Sequence, residues 1–239
     1  MKMPELQLPV GVSLHSAQSP QAIAEILAER VAECLRLRLA EAPEATLVVS
    51  GGSTPLPFFR ALRDKPLEWA RIKIALADER WVLESDPSSN AALVKRELLQ
   101  DAAAEARFVL FNVSDKDAAD AVTELEADAT GLTFPVDVLV LGMGIDGHTA
   151  SLFPDAPELA CAMEPSGEQR VMVMTPPSQA HQRVTLTLPV LAQARFKVLH
   201  LKGQDKIATL ARAAEAPDDW SAMPIRAFLQ AGLNIYWSP

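Results

Sequence analysis

Four short apolar runs, TLVVS at 46–50, RIKIALA at 71–77, VDVLVL at 136–141 and FKVLHL at 196–201, give way to glycine, hydroxyl or charged residues and then to helical periodicity. A strand apolar on both sides is buried on both faces. Such strands alternating with amphipathic helices require crossover connections and a parallel sheet. The pattern predicts an α/β protein: a three-layer α/β/α sandwich with a mostly parallel, Rossmann-like sheet. Ser19 reads as an N-cap with Pro20 at the first helical position, opening a helix to about residue 39 on Ile23, Leu27, Val31 and Leu35. Further helices are expected from near Pro55, over 90–99 behind Ser88 or Ser89, over 115–128, after Gly203 and over 224–230. Further strands are expected at 108–111, 171–174 and 233–237. With no repeat and no Pro/Gly-rich linker, residues 1–239 read as a single domain.

Charge narrows the function. The net charge of −9 and the lack of any Lys/Arg-rich block argue against nucleic acid and anionic membrane as partners. No apolar run approaches the length of a spanning helix, and the N-terminus lacks a signal-peptide core, so the expectation is a soluble, cytoplasmic protein. Two isolated cysteines, Cys34 and Cys161, make neither a disulfide framework nor a zinc site.

In open parallel sheets ligands bind beyond the carboxyl ends of the strands, and there the chemistry-bearing residues stand. The turn Gly51-Gly52-Ser53-Thr54 joins a strand to a helix, so its backbone N–H groups can point outward at the positive end of the helix dipole and hold a phosphate. It matches neither a Walker loop, a dinucleotide fingerprint nor a nucleophile elbow. Asp78-Glu79-Arg80 follows the next strand, and three consecutive charges there must face water or a ligand. Arg80 is the one placed in the site, and a solvated, salt-bridged corner fits one of the three. Within LGMGIDGHTASLFP at 141–154, Gly142, Gly144 and Gly147 let the backbone approach a ligand. His148 stands at an expected helix start with Asp146 two residues before it, able to orient the ring. Asp146 and His148 lack a third ligand at metal-site spacing. His15, His181 and His200 read as structural or exposed. Arg183 and Lys206 add positive charge after strands, as an anionic ligand requires, and Lys206 would sit in the first turn of a helix whose dipole disfavours it.

These segments together resemble the 6-phosphogluconolactonases of the glucosamine-6-phosphate isomerase/6-phosphogluconolactonase family. The resemblance rests on Gly51 to Pro55, Asp78-Glu79-Arg80 with Ser89-Asn90, Gly142 to Pro154, Arg183-Val184-Thr185, and Gly203 with Lys206, and spans about residues 15 to 236. One departure is Trp81-Val82-Leu83, where the family commonly has proline soon after the Asp-Glu-Arg. The resemblance implies hydrolysis of 6-phospho-D-glucono-1,5-lactone in the oxidative pentose phosphate pathway, with a small sugar-phosphate lactone as partner, no metal or organic cofactor, and a monomer or weak homodimer. It implies His148 as general base, Asp146 orienting it, and Arg80 at either the oxyanion or the phosphate. It implies Gly51, Gly52, Ser53, Thr54, Gly144, Arg183 and Lys206 around the substrate, with Asp78 orienting or structural. The family's deaminases carry a glutamate where this chain has Phe153, and a phenyl ring cannot move a proton. A sugar-phosphate-sensing regulator would need a DNA-binding module, for which the roughly 15 residues before the first helix are too few.

Overall fold

The computed structural model describes residues 6–109, 111 and 117–239. Strand β1 (Ser13–Ser16) leads into α1 (Pro20–Glu41), followed by β2 (Ala45–Val49), α2 (Leu56–Arg63), β3 (Ile72–Leu76), β4 (Asp78–Arg80) and α3 (Asn90–Glu97). Next come β5 (Arg107–Val109), α4 (Val122–Ala129), β6 (Val138–Leu141), α5 (Leu159–Ala162), β7 (Val171–Met174) and β8 (Arg183–Leu186). The chain closes with α6 (Leu188–Ala192), β9 (Phe196–Lys202), α7 (Gln204–Glu215), a 3-10 turn (Pro224–Phe228) and β10 (Leu233–Ser238).

The described residues form a seven-stranded sheet in the order β1-β10-β9-β6-β2-β3-β5, every neighbouring pair parallel. Burial explains the order. All five residues of β2 and all four of β6 are buried, so these strands belong at the middle, covered on both faces. Helix α1 starts as its sequence demands: the Ser19 hydroxyl accepts from the Ala22 N–H at 3.2 Å, and Pro20 occupies the first turn. Its buried stripe of Ile23, Leu27, Val31, Leu35 and Leu39 packs on β2, β6 and β10, with α2 beside it.

From β2 the chain steps outward through β3 to β5, then returns to lay β6 on the other side of β2 and steps away through β9 to β10. Strand order therefore reverses between β2 and β6, the place where a crevice opens at the strands' carboxyl ends.

The α/β class and the parallel sheet hold, but a second sheet corrects the picture of one sheet only. Strands β4, β8 and β7 form a three-stranded antiparallel sheet, so the strand expected at 171–174 exists but pairs elsewhere. Asp78, Glu79 and Arg80 are strand residues of that sheet, with Asp78 and Glu79 buried. They are not a solvated corner. The helix expected over 115–128 begins only at Val122, its first two positions lying outside the described residues, as does Leu110 of the strand expected at 108–111.

Candidate active site

At the reversal point lies a cavity of about 350 Å³. Its walls come from 50–55 after β2, Asp78 and Arg80, 140–143 at the end of β6, the turn carrying His148, and 200–202 of β9 with Lys206 of α7.

The turn after β6 is held from several sides. The Gly144 N–H donates to the His148 carbonyl at 2.8 Å and the Thr149 hydroxyl to the Gly142 carbonyl at 2.8 Å. The Arg212 guanidinium of α7 donates to the Ile145 carbonyl at 3.0 Å, and the Ile225 N–H to the Gly147 carbonyl at 2.9 Å. Inside this frame His148 Nδ1 lies 2.6 Å from Asp146 Oδ1, which also accepts the His148 backbone N–H at 3.2 Å. Burial opposes ionisation of Asp146, yet the bonds from His148 outweigh it and hold the carboxyl below its ordinary range. The imidazole stacks on Phe153 with ring centroids 4.1 Å apart. A carboxylate on one nitrogen and a phenyl face against the ring leave the other nitrogen to act.

The expected helix start at Thr149 is not there. Ala150 takes φ +48, Thr149 bridges to Leu152, and the next helix is α5. The tight reversal turns Ser151 inward, where its hydroxyl donates to Asp78 Oδ2 at 2.7 Å, fixing that carboxylate at the cavity wall.

Arg80 and Arg183 stand directly opposite each other in the antiparallel β4–β8 register, and both line the cavity. Like charges placed so repel. Burial first, and then the neighbouring Arg80, weaken the hold of Arg183 on its proton, partly offset by Asp78 and Glu79. The two guanidinium groups are otherwise thinly satisfied. Arg80 donates to the Ser88 carbonyl, Arg183 to the Gln179 side chain at 2.8 Å, and Arg183 Nε is buried with no hydrogen-bond partner among the described residues. Lys206, third residue of α7, brings another cation, whose charge burial disfavours and the nearby Asp146 and Asp205 favour.

Facing these cations is the glycine turn. Gly52 adopts φ +96, a conformation that favours glycine, and a Cβ on Gly51 would lie 2.0 Å from the Asn90 side-chain oxygen. Asn90 is part of the reason the turn stands where it does. Its amide nitrogen donates to the Asp78 carbonyl at 3.0 Å, and Glu79 receives the N–H groups of Asn90 and Ala91 at 2.8 and 2.7 Å. Burial pushes the Glu79 carboxyl up while these N–H groups pull it down.

Of the residues expected from sequence, Gly51, Gly52, Ser53, Thr54, Asp78, Arg80, His148, Arg183 and Lys206 line the one cavity. Asp146 sits behind His148, outside that lining. Gly144 departs from its expected place against the substrate: it lies behind the His148–Asp146 pair, where a Cβ would come 2.2 Å from His148 Nδ1 and 2.3 Å from Asp146 Oδ1. Sequence reasoning missed Ser50, Gln179, His200 and Lys202 in the wall. Position after a strand was the available signal for Ser50 and Lys202. His200, inside an apolar run, carried no signal beyond its polarity.

This site sits on a fold shared by enzymes of sugar phosphates. The family described as glucosamine-6-phosphate isomerases/6-phosphogluconolactonase matches residues 18–237, and the chain belongs to it. The 6-phosphogluconolactonase of Pseudomonas aeruginosa is 49% identical over 239 residues, covering 100% of both chains. A crystal structure of a 6-phosphogluconolactonase from Shewanella baltica superposes with a TM-score of 0.93 at 35% identity, over 98% of this chain and 100% of that one. A monomeric glucosamine-6-phosphate deaminase also shares the fold, with a TM-score of 0.75 at 18% identity over 95% of this chain and 97% of its own. At that identity the fold does not choose between the two activities, and the site must.

Proposed function

We propose that this chain hydrolyses 6-phospho-D-glucono-1,5-lactone to 6-phosphogluconate, with His148 as general base. The observation that carries the reading is the pair Arg80 and Arg183, held in register at one cavity with a buried, unpartnered Nε on Arg183. Such an arrangement, on a chain of net charge −9, is relieved by a bound dianion such as a phosphate. Lys206 and the backbone of the 51–54 turn complete the anion's surroundings.

The reaction follows from the rest. Asp146 keeps a proton on His148 Nδ1, so Nε2 takes one from a water as that water adds to the lactone carbonyl. The imidazolium is stabilised by the Asp146 carboxylate and by the Phe153 ring face. Positive charge in the cavity stabilises the oxyanion as it develops. When the intermediate collapses, the C–O bond to the ring oxygen breaks and His148 returns its proton to that oxygen, freeing a hydroxyl and a carboxylic acid. Phe153 offers no proton for aldose–ketose chemistry, which favours the lactonase over the deaminase of the same family.

The test is disappearance of the phosphorylated lactone against its spontaneous hydrolysis. A clear acceleration is expected, with unphosphorylated gluconolactone turned over far less efficiently. Equal efficiency on both lactones would contradict the phosphate assignment.

A further inference from the structure

The cavity has a second polar character that the phosphate and the His148 pair leave unused. His200, on β9, is 4% exposed and lines the wall. Its ring meets the edge of Phe58 at 6.2 Å between centroids, and Nδ1 is buried with no hydrogen-bond partner among the described residues. A purely structural histidine in a core is normally hydrogen-bonded, since leaving a buried polar atom unpaired costs stability that an apolar residue would not. Across the end of β6, just after β2 on its other side, Ser50 repeats the pattern: it lines the same cavity, and its hydroxyl is buried and unpartnered. Two unsatisfied neutral groups thus flank the carboxyl end of the central strand.

We infer that His200 is a specificity-determining residue, presenting its unpartnered Nδ1 to a hydroxyl of the sugar, with Ser50 beside it serving the same polyol. This rests on the lactonase reading above and adds which part of the substrate each region of the cavity recognises. Burial drives the His200 imidazole down to about 4, so the ring is uncharged near neutrality and adds nothing to the phosphate's field. The phosphate belongs to Arg80, Arg183, Lys206 and the glycine turn. The hydroxyls, which need donors and acceptors without charge, belong to His200 and Ser50. A ligand hydroxyl buried against a side chain that cannot answer it loses affinity, whereas the phosphate does not register the change.

The experiment is calorimetric titration of 6-phosphogluconate and, separately, inorganic phosphate into wild type, His200→Phe, His200→Gln and His200→Asn, with thermal unfolding confirming each fold. His200→Phe is expected to weaken 6-phosphogluconate by about ten- to thirtyfold and to leave inorganic phosphate within about twofold. Glutamine places its amide nitrogen near the position of Nε2 and asparagine near that of Nδ1, so Asn is expected to restore most of the affinity and Gln little. Should phenylalanine fail to fold, the Gln–Asn contrast decides alone. The inference is overturned if His200→Phe binds 6-phosphogluconate as wild type does, if both ligands weaken together, or if Gln rescues better than Asn. Wild-type protein that bound neither ligand would instead sink the lactonase reading, and this inference with it.

Discussion

Gly144 leaves no room for a side chain. A methyl group there would press on both members of the His148–Asp146 pair, at 2.2 and 2.3 Å from their facing atoms. Gly144→Ala is therefore expected to cut lactone hydrolysis by about ten- to a hundredfold through misplacement of the base, with 6-phosphogluconate affinity, measured by titration, close to wild type. Lys206 works the other way round. Its removal as Lys206→Ala is expected to weaken 6-phosphogluconate by about 1.5–3 kcal/mol, the loss of a charged hydrogen bond, and unchanged affinity would remove it from the phosphate site. His200 adds a pH effect whose sign is fixed. Its folded pKa of about 4 lies below the 6.5 of an unperturbed ring, so the unfolded chain takes up a proton that the folded ring refuses. Its contribution is present above about pH 6.5 and is lost as pH falls toward 4, by on the order of 3 kcal/mol. Wild type should therefore lose stability relative to His200→Phe in urea unfolding along that path, and a pH-independent difference would contradict the assignment.

At the scale of elements, Glu79 ties three pieces of the site together. Its carboxylate accepts the N–H of Arg80 at 2.7 Å and those of Asn90 and Ala91 at the start of α3, and the Ser89 hydroxyl at 3.1 Å. Glu79→Ala leaves those donors without their acceptor and is expected to cost about 2–5 kcal/mol in denaturant unfolding, with a loss of activity because Arg80 and Asn90 shift with it. A surface-like cost below about 0.5 kcal/mol would contradict this tie. None of it was legible in the sequence, where three charges in a row suggest a solvated corner. Strands β4 and β8 are too short and too polar to announce themselves, and they form through pairing, β4 on β8 and β8 on β7 as well. By contrast β2 and β6, continuous apolar runs, and α1, with its Ser19-Pro20 start and four-residue apolar spacing, could be read directly. The segment after His148 misled for a different reason: Thr-Ala-Ser-Leu suits a helix locally, while the Ala150 backbone at φ +48 and the Ser151 bond to Asp78 turn it into a tight reversal.

For the whole molecule, the sheet's order makes the site. Residues far apart in sequence meet because β2 and β6 lie side by side where the strand order reverses. That is why position after a strand located most of the wall, and why His200, hidden within β9, escaped notice. The same fold carries a deaminase at 18% identity, so activity depends on which side chains the strand ends present. With Phe153 stacked on His148, glucosamine-6-phosphate should release no ammonia at a rate comparable with lactone hydrolysis, and a comparable rate would reverse the choice between the family's two chemistries. The most direct measurement is lactone hydrolysis by folded His148→Ala beside wild type. The variant is expected to lose about 10²–10⁴-fold in rate while still binding 6-phosphogluconate. A variant with near wild-type rate would show that His148 is not the base.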